Sequence, residues 1–300
     1  MKLSVIIVNY NTKEYLKECI RSILSNLKGV GHEIIVVDNA SHDRSVEMLN
    51  KEFPKIKLIK NKKNIGFGKA CNQGFKLSKG GFIFLLNPDT RLIDDSIVRM
   101  IRFMEKNDIL IAGPTITYED GSIQHSAQPF PSLIFESARA LGLRGKHLHV
   151  RWLSKKILKG YFFASSIREP KPTGWVSGGA MMIQRSVVDK KIFDEDYFMY
   201  YEDVDFCWRM KQKGVQTWFL PFAHIIHHVK GSPQKSSVEH EEFKSKLLFL
   251  KKSNGQVKYS IFLGFLFILT TIKLLFFTIF NQKGYKTHSV YIRIIRGETI

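Results

Sequence analysis

The sequence predicts an α/β protein with a mixed, mainly parallel sheet, because short apolar runs alternate with helical patterns. The clearest runs cover residues 3–8, 33–37 and 82–86, and each consists mostly of β-branched and other apolar residues. Short runs of this kind between amphipathic helices are typical of βαβ units. With 300 residues, the chain can bury a large α/β core and still carry an appendage.

Polar residues follow each of the three runs. They are Asn9 and Asn11 after the first run, Asp38 and Asn39 after the second, and Asn87 and Asp89 after the third. Ligands of open parallel sheets bind outside the carboxyl ends of the strands. We therefore expect these amides and carboxylates to lie along one edge of the sheet and to form a ligand site.

The segments between the runs have helical periodicity. We expect a helix from an N-cap at Thr12 to about Leu27, a helix over 43–50, a strand over 56–59 and a helix over 68–77. Strands and helices thus alternate along the first part of the chain, as the fold class requires.

Two turns are also predicted. Asn64 and Gly66 lie in a glycine-bearing turn, where backbone can approach a ligand closely. A phosphate-binding loop and an ordinary turn both fit this pattern. Farther along, Glu119, Asp120 and Gly121 break two strand-like pieces, which indicates a hairpin.

Residues 130–172 interleave Arg and Lys with leucines and aromatic residues, and their periodicity is weak. This composition fits an amphipathic insertion that lies on a membrane, and it equally fits a packed helical lid with a solvated basic side. After it, Trp175 precedes Gly178 and Gly179 at the start of a strand. Paired glycines allow a substrate to lie against bare backbone.

Three acids, Glu202, Asp203 and Asp205, follow a group of aromatic residues and begin a helical pattern. Acids in a first helical turn can be simple caps, since the helix dipole favours them. Three acids beside an apolar pocket exceed what a cap needs, so we favour a general base with a tuned pKa.

A strand over 216–220 precedes His227 and His228. Alternation along a strand would place these two side chains on opposite faces. Histidines are more often structural, but several close together near carboxylates indicate a metal or phosphate site.

The formal net charge of +19 favours partners that carry phosphate. We favour an anionic membrane surface over nucleic acid, because the chain has no stacking or groove-binding motif. A generally basic, solvated surface is the alternative. Cys19, Cys71 and Cys207 lack metal-ligand spacing and are expected to be reduced core thiols in the cytosol, and the N-terminus predicts no secretory signal.

Residues 259–280 form an apolar segment long enough to cross a bilayer, interrupted by Lys273. Both flanks are basic, so a single span would export one basic flank against the positive-inside tendency. We therefore favour an in-plane or re-entrant helix, with a true span and a buried core helix as alternatives. The predicted domains are a catalytic domain over 1–235, which contains the 130–172 insertion, and a membrane-associating helical region over 236–300.

The motifs resemble those of the family 2 glycosyltransferases with the GT-A fold, a Rossmann-like nucleotide-diphospho-sugar transferase fold. The bacterial rhamnosyltransferase-like branch, which acts on cell-surface polysaccharides, is the most similar. The resemblance covers residues 3–232. It rests on Val5 to Asn11, Val37 to Ser41 with Asp43, Asn64 to Phe67 with Asn72 and Gly74, Asn87 to Asp89, Gly178-Gly179, Tyr201 to Asp205, and His227 before Gly231-Ser232.

The resemblance implies a site for a nucleotide-sugar donor. Asp38 would bind the uracil or thymine base and the ribose, with Asn9 and Asn39 nearby. Asn64 and Gly66 would lie along the nucleotide. Asn11 and Asn87 are assigned to the same nucleotide-sugar site.

The resemblance also implies a metal and an acceptor. Asp89, helped by His227, would hold Mg²⁺ or Mn²⁺ against the diphosphate. Asp203 would be the general base, supported by Glu202 or Asp205. The acceptor would bind at Trp175, Gly178 and Gly179.

One position departs from the usual pattern. The metal motif of the family has a pair of acids, and Asn87 takes the place of one of them here, as in other members of this branch. Either the metal affinity is weaker, or a lysine or arginine carries part of the charge.

The implied activity is inverting transfer of a sugar, most specifically rhamnose from its deoxythymidine diphosphate carrier, to a lipid-linked glycan at the cytoplasmic face of the inner membrane. The expected partners are the donor, the lipid-linked acceptor and an anionic membrane surface, without nucleic acid. A non-catalytic, membrane-bound nucleotide-sugar binding or scaffold protein is the alternative. A nucleic-acid binder has support from charge alone.

Overall fold

The computed structural model of the chain describes residues 2–140, 167–228, 235–279 and 295. The chain divides into two compact units. Unit 1 comprises residues 1–130 and 162–232, and unit 2 comprises residues 131–161 and 233–300. The domain boundary expected at residue 235 stays a prediction. Most of the expected 130–172 insertion, the motif residues Gly231 and Ser232, and the basic flank beyond residue 279 lie outside the described residues.

Unit 1 contains a mixed sheet of nine described strands and a small sheet of two. In chain order the strands are β1 (Leu3–Asn9), β2 (His32–Asp38), β3 (Lys57–Lys60), β4 (Phe82–Leu86), β5 (Thr90–Leu92), β6 (Ile111–Thr117), β7 (Ala127–Gln128), β8 (Lys171–Thr173), β9 (Trp175–Val176), β10 (Ala180–Gln184) and β11 (Thr217–His227). The large sheet has the order β3-β2-β1-β4-β10-β6-β11-β5, and β8 pairs with β11. Strands β7 and β9 form the small sheet.

The helices of unit 1 are α1 (Lys13–Asn26), α2 (Ser45–Glu52), α3 (Phe67–Leu77), α4 (Ser96–Lys106) and α6 (Glu202–Gln212). Apolar residues of α1, α2 and α4 cover one face of the sheet, and those of α3 and α6 cover the other. Along β1 the side chains alternate between these two cores: Val5 and Ile7 face the first, Ile6 and Val8 the second. Burial on both faces explains why the strand is a continuous apolar run.

Strands β3, β2, β1 and β4 run parallel, which confirms the sequence prediction for this half. The register places Asn9 of β1 directly opposite Asp38 of β2. It also aligns Ile7 with Leu86, the last residue of β4. The carboxyl ends of three strands therefore meet at one edge, as expected.

The other half of the sheet contains antiparallel pairs. Strand β10 is antiparallel to both β4 and β6, and β11 is antiparallel to β5. The last pairing sets His227 opposite Thr90, the residue that follows Asp89. A turn between Tyr118 and Ser122 closes the expected hairpin, with the Tyr118 amide donating to the Ser122 carbonyl at 2.8 Å.

The N-terminal ends of two predicted helices differ in detail from the expectation. Helix α2 begins at Ser45, because the Asp43 carboxylate accepts the Ser45 amide at 3.0 Å and so stands before the helix. Thr12 precedes α1, but its hydroxyl donates to Asn9 Oδ1 at 2.7 Å instead of capping the helix. The three cysteines are buried free thiols, in agreement with the prediction.

Unit 2 contains three described helices, α5 (Leu133–Ala140), α7 (Lys235–Asn254) and α8 (Gln256–Ile279). Helix α8 packs against both α5 and α7. Its residues 256–273 have a mean hydropathy of 1.2 with 17% of the segment buried, and its length and composition suffice to cross a membrane. An apolar helix is therefore present where expected, and its orientation to a membrane stays a prediction.

Candidate active site

Asn9 and Asp38 form the first part of the candidate site. Both side chains are buried, and Asn9 Nδ2 donates to Asp38 Oδ1 at 2.8 Å and to Ser41 Oγ at 2.9 Å. The second carboxylate oxygen of Asp38 accepts the Ser41 amide at 3.0 Å. A carboxylate has about four acceptor positions, so Asp38 can still accept hydrogen bonds from a ligand. The parallel register of β1 and β2 produces this arrangement directly.

Asn39 connects this cluster to the glycine-bearing turn. Its Nδ2 donates to Gly66 O at 3.2 Å and to Asn64 Oδ1 at 3.3 Å, and Asn64 Oδ1 also accepts the Gly66 amide at 3.0 Å. Gly66 has a φ of +88°, and a Cβ there would lie 2.3 Å from the carbonyl oxygen of Phe198. The turn therefore requires glycine both for its conformation and for this close approach.

The loop after β1 contains a residue in the left-handed backbone conformation. Asn11 has a φ of 56°, a conformation that asparagine adopts more readily than most residues. Its backbone amide donates to Ser41 Oγ at 3.0 Å, and its side-chain Oδ1 accepts the backbone amide of His42 at 2.7 Å. Asn11 thus holds the loops after β1 and β2 together, and its contact with a nucleotide stays a prediction.

Asp203 lies in the first turn of α6, next to the paired glycines. Its Oδ2 accepts the Gly178 amide at 2.8 Å, and its Oδ1 accepts the Val204 amide at 2.8 Å. Burial raises the pKa of the Asp203 carboxyl above its usual value, and the hydrogen bonds from Gly178 and Val204 only partly lower it. A half-buried carboxylate with a raised pKa can accept a proton from a hydroxyl group.

Glu202 is buried more deeply than Asp203. Its Oε2 has no hydrogen-bond partner among the described residues. Burial raises the pKa of the Glu202 carboxyl well above its usual range, and the neighbouring Asp203 carboxylate raises it further. The two adjacent acids therefore repel each other when both are ionised, and the more deeply buried Glu202 is the one that keeps its proton.

Asp205 has a different environment. Its Oδ2 accepts Arg209 Nε at 2.6 Å in an ion pair on α6. With 3.6 residues per turn, Asp203 and Asp205 point about 200° apart around the helix. The expected support of Asp203 by Asp205 stays a prediction. The ion pair stabilises α6, and Arg209 also donates to Ile192 O at 2.9 Å, which connects the helix to the segment before it.

Two residues with left-handed backbone precede the acids. Tyr200 and Tyr201 have φ values of 67° and 65°. Bulky residues rarely adopt this conformation, and it costs on the order of 1–3 kcal/mol per residue. The segment before them is fixed by Phe198, whose carbonyl accepts the Phe67 amide at 2.9 Å. The strained pair places Glu202 and Asp203 at the start of α6, beside the turn that contains Gly66.

Asn87 and Gly179 connect the paired glycines to the metal motif. The Asn87 amide donates to Gly179 O at 2.9 Å, and a Cβ on Gly179 would lie 2.9 Å from Asn87 Nδ2. The absent side chain thus leaves room for the Asn87 amide group. Trp175 lies earlier on the same segment, and its Nε1 donates to Pro129 O at 3.1 Å. Acceptor binding by Trp175, Gly178 and Gly179 stays a prediction.

Asp89 and His227 meet because β5 and β11 pair. Asp89 Oδ1 lies 3.0 Å from His227 Nε2, and Gln124 Oε1 lies 2.7 Å from His227 Nδ1. The described residues contain no group of three His, Cys, Asp or Glu side chains with metal-binding geometry. The 3.0 Å contact is a direct hydrogen bond between the two side chains. The same separation suits two positions on one ion, since neighbouring ligands of an octahedral ion with bonds of about 2.1 Å are roughly 3 Å apart. The carboxylate suits Mg²⁺ or Mn²⁺, and the imidazole is a better donor for Mn²⁺ than for Mg²⁺, with water and phosphate oxygens as the remaining ligands.

The side chain of His228 does not contact the Asp89 carboxylate as that of His227 does. It lies after the end of β11, where its amide donates to Asp89 O at 2.8 Å and its Nδ1 contacts Glu119 Oε1 at 2.7 Å. The two neighbouring histidines are therefore directed to different partners.

Three polar residues of this region were not predicted to contribute. Ser41 accepts from Asn9 and Asn11, Gln124 contacts His227, and Asn61 Nδ2 donates to Asn39 Oδ1 at 2.9 Å. Ser41 lies three residues after Asp38, the last residue of β2, so its position after a strand was a usable signal. Gln124 and Asn61 lie in segments without a motif, and only tertiary structure brings them in.

The fold indicates the class of protein to which the chain belongs. A mixed, mainly parallel sheet covered by helices on both faces is a GT-A-like fold. The family model "Glycosyl transferase family 2" matches residues 4–191. The chain belongs to glycosyl transferase family 2 and is a glycosyltransferase, which agrees with the resemblance noted from the motifs.

Two curated proteins are similar over most of their length. The "N-acetylglucosaminyl-diphospho-decaprenol L-rhamnosyltransferase" of Mycobacterium tuberculosis is 28% identical over 264 residues, which cover 83% of each chain. The "Rhamnosyltransferase WbbL" of Escherichia coli K12 is 24% identical over 235 residues, covering 75% of this chain and 82% of that protein.

The solved structure of GalNAc-T7 with UDP, GalNAc and Mn²⁺ shares the fold, with a TM-score of 0.59 and 16% identity. The match covers 84% of this chain and 48% of that one, so this chain spans about half of that solved structure. At this identity the likeness concerns the fold alone.

Proposed function

We propose that this protein is an inverting rhamnosyltransferase that moves L-rhamnose from dTDP-rhamnose to a lipid-linked glycan during synthesis of a cell-surface polysaccharide. The names of the two curated relatives support rhamnose as the sugar, and the name of the mycobacterial relative supports a lipid diphosphate acceptor. The proposal places the reaction at the cytoplasmic face of the inner membrane. The basic net charge of +19 and the apolar helix α8 support attachment to that surface.

The donor nucleotide binds, in this proposal, at the edge formed by β1 and β2. Asp38 and Asn39 are buried and held by neighbouring groups, so they present their remaining acceptor positions without rearrangement. The base and ribose would contact Asp38, and the backbone around Gly66 would lie along the nucleotide. Asn9, Asn11, Asn64 and Asn87 complete this donor site.

Asp89 and His227 hold the divalent ion, Mg²⁺ or Mn²⁺. The separation of 3.0 Å between their donor atoms supports this assignment. When bound, the ion neutralises the charge that develops on the departing nucleoside diphosphate. Gln124 contacts the other ring nitrogen of His227 at 2.7 Å, and it therefore fixes the orientation of the imidazole.

Asp203 is the general base. The observation that carries this role is the 2.8 Å hydrogen bond from the Gly178 amide to Asp203 Oδ2, which aims a carboxylate of raised pKa at the backbone of the paired glycines. An acceptor lying on Gly178 and Gly179 would lose its hydroxyl proton to Asp203. Its oxygen then bonds to the anomeric carbon from the face opposite the leaving diphosphate, which departs with the electrons of the broken bond. Attack from that face inverts the anomeric centre.

A panel of donors tests the activity. The protein, purified in an uncharged detergent, is incubated with Mn²⁺, a polyprenyl diphosphate-linked sugar and each of several nucleotide sugars, and released nucleoside diphosphate is measured. Release with dTDP-rhamnose, and not with UDP-glucose or GDP-mannose, supports the proposed donor. Release with a different nucleotide sugar alone would show that the donor carries that sugar and not rhamnose. Binding of every donor without release would favour the non-catalytic nucleotide-sugar protein instead.

A further inference from the structure

Unit 2 contains a cavity that the proposed transfer reaction does not use. The cavity has a volume of about 240 Å³. Its apolar wall includes Phe243, Leu247, Leu250, Phe262, Leu266 and Leu269. At roughly 30 Å³ per water molecule, the space equals about eight waters, which is enough for a headgroup or a short stretch of hydrocarbon.

Charged side chains also line this apolar cavity. Lys246 and Glu136 are about nine-tenths buried and form an ion pair at 3.2 Å. Lys273 lines the cavity as well, and its ammonium donates to the carbonyl of Ala140 at the end of α5. Among the described residues Lys273 has no carboxylate within ion-pair distance. The described lining therefore carries two ammonium groups and one carboxylate, and Lys273 has no counter-charge among the described residues.

An unbalanced positive charge in an apolar lining has a cost that an anion can remove. Lys273 is half-buried, and a charge removed from water is retained where it is paired or where it serves a ligand. The carbonyl oxygen of Ala140 offers only the partial negative charge of a backbone carbonyl. A phosphate group offers at least one full negative charge, together with several acceptor oxygens. The charge and the apolar wall together fit a molecule with both a phosphate and a hydrocarbon chain.

Helix α8 separates this cavity from an apolar outer surface. Phe262, Leu266 and Lys273 lie on one side of the helix and line the cavity. Ile261, Ile268, Ile272 and Leu275 lie on the other side and are 58–70% exposed. A helix with an exposed apolar face fits contact with the hydrocarbon of a membrane. The same helix thus offers one face to lipid chains and the other to a charged cavity.

We propose that the cavity in unit 2 binds the phosphate end of a single lipid, with Lys273 as its cationic contact and the apolar wall around the first part of the hydrocarbon chain. The Lys246–Glu136 pair keeps the remaining buried charges neutral. The inference rests on the proposed function only in the choice of probe, a polyprenyl diphosphate, because such a lipid would carry the acceptor glycan.

The test is equilibrium binding of a radiolabelled polyprenyl diphosphate to the full chain in an uncharged detergent, with no sugar donor present. Lys273→Gln is the informative variant, since its amide can still donate to the Ala140 carbonyl but carries no charge. We expect its affinity for the lipid to fall about tenfold or more. Lys258→Met, which removes an exposed charge from the same helix, is the matched control and should bind as the wild type does.

Competitors distinguish the sources of the phosphate. Unlabelled polyprenol, which lacks phosphate, and inorganic diphosphate, which lacks hydrocarbon, should both compete poorly. Equal competition by phosphatidylglycerol would uphold the site and identify its ligand as a bulk membrane lipid. Equal affinities of Lys273→Gln and Lys258→Met, or full competition by polyprenol or by inorganic diphosphate, would overturn the proposal.

Lys273→Arg and thermal unfolding provide the remaining checks. Arginine keeps the charge and should restore binding, whereas a purely structural contact with Ala140 would be satisfied by Gln as well. Unfolding curves of all three variants show whether unit 2 is intact. Because binding is measured without turnover, a failure of sugar transfer leaves this result unaffected, and loss of lipid binding leaves the donor panel interpretable.

Discussion

The backbone amide of Gly178 donates to Oδ2 of Asp203 at 2.8 Å, and this contact joins the paired glycines to the acidic start of α6. Asp203 is thereby held against the segment on which the acceptor is proposed to bind. Asp205 pairs with Arg209, and Glu202 Oε2 has no hydrogen-bond partner among the described residues, so the three carboxylates of this cluster are expected to respond differently to mutation.

Asp205→Ala should reduce stability and leave catalysis largely intact. It removes one partner of the pair with Arg209, whose side chain remains 32% exposed. Breaking a fully buried pair costs about 3–5 kcal/mol, and the partial exposure of Arg209 lowers our expectation to about 2 kcal/mol. Urea unfolding measures the loss, and the rate per folded molecule is measured at low temperature. A fall in rate as large as that of an Asp203 variant would instead place Asp205 in the catalytic machinery.

Glu202→Gln should stabilise the protein at neutral and alkaline pH. The folded-state pKa of Glu202 is raised by burial, so the folded state binds its proton more tightly than the unfolded state does. Stability then falls as pH rises above the ordinary glutamate pKa of about 4.3. Glutamine removes this penalty, so the gain should be largest near pH 8 and vanish near pH 4. Unfolding free energies across this range provide the measurement, with the exposed Glu47→Gln as the control that shows no such trend.

Gly66→Ala should be far more damaging than alanine at another glycine with a similar positive φ. Gly214 has a φ of +82° with open space around it, whereas a Cβ on Gly66 would meet the Phe198 carbonyl at 2.3 Å. We expect Gly214→Ala to cost about 1 kcal/mol, from backbone strain alone. Gly66→Ala should cost at least about 2 kcal/mol, because strain and the steric clash add. Equal losses in denaturant unfolding would show that the close approach has no energetic role.

Asp89→Asn should weaken binding of the divalent ion. Removing a ligand carboxylate takes away both a charge and a donor atom, and we expect Mn²⁺ affinity to fall at least about tenfold. Free Mn²⁺ can be followed by electron paramagnetic resonance in the presence of the nucleotide, without any turnover. Asp94→Asn, close by on the chain, is a control for a general effect of charge. Unchanged Mn²⁺ affinity in Asp89→Asn would remove Asp89 from the metal site.

The parallel half of the fold could be predicted because its strands and helices leave a pattern in short stretches of sequence. Strands buried on both faces must be continuous apolar runs, and β1 and β4 are buried along their whole lengths. The polar residues that end such runs were correctly expected at one edge, and the register of Asn9 with Asp38 confirms that expectation.

Other features depend on tertiary structure and could not be predicted. The antiparallel placement of β10 between β4 and β6 follows from long connections, which have no local signature. Gln124 reaches His227 from a segment without a motif. By contrast, the separation of Asp203 from Asp205 around α6 follows from helical periodicity, and the sequence contained that information.

The kinetics of Asp203→Asn test the central claim most directly. Release of nucleoside diphosphate and the dissociation constant of the nucleotide are both measured for the wild type, for Asp203→Asn and for the exposed control Asp108→Asn. A general base contributes roughly 10²–10⁴-fold, so release by Asp203→Asn should fall by at least about 100-fold. Nucleotide affinity should be unchanged, and Asp108→Asn should behave as the wild type does. Release by Asp203→Asn at the rate of the wild type would contradict the assignment of Asp203 as the base.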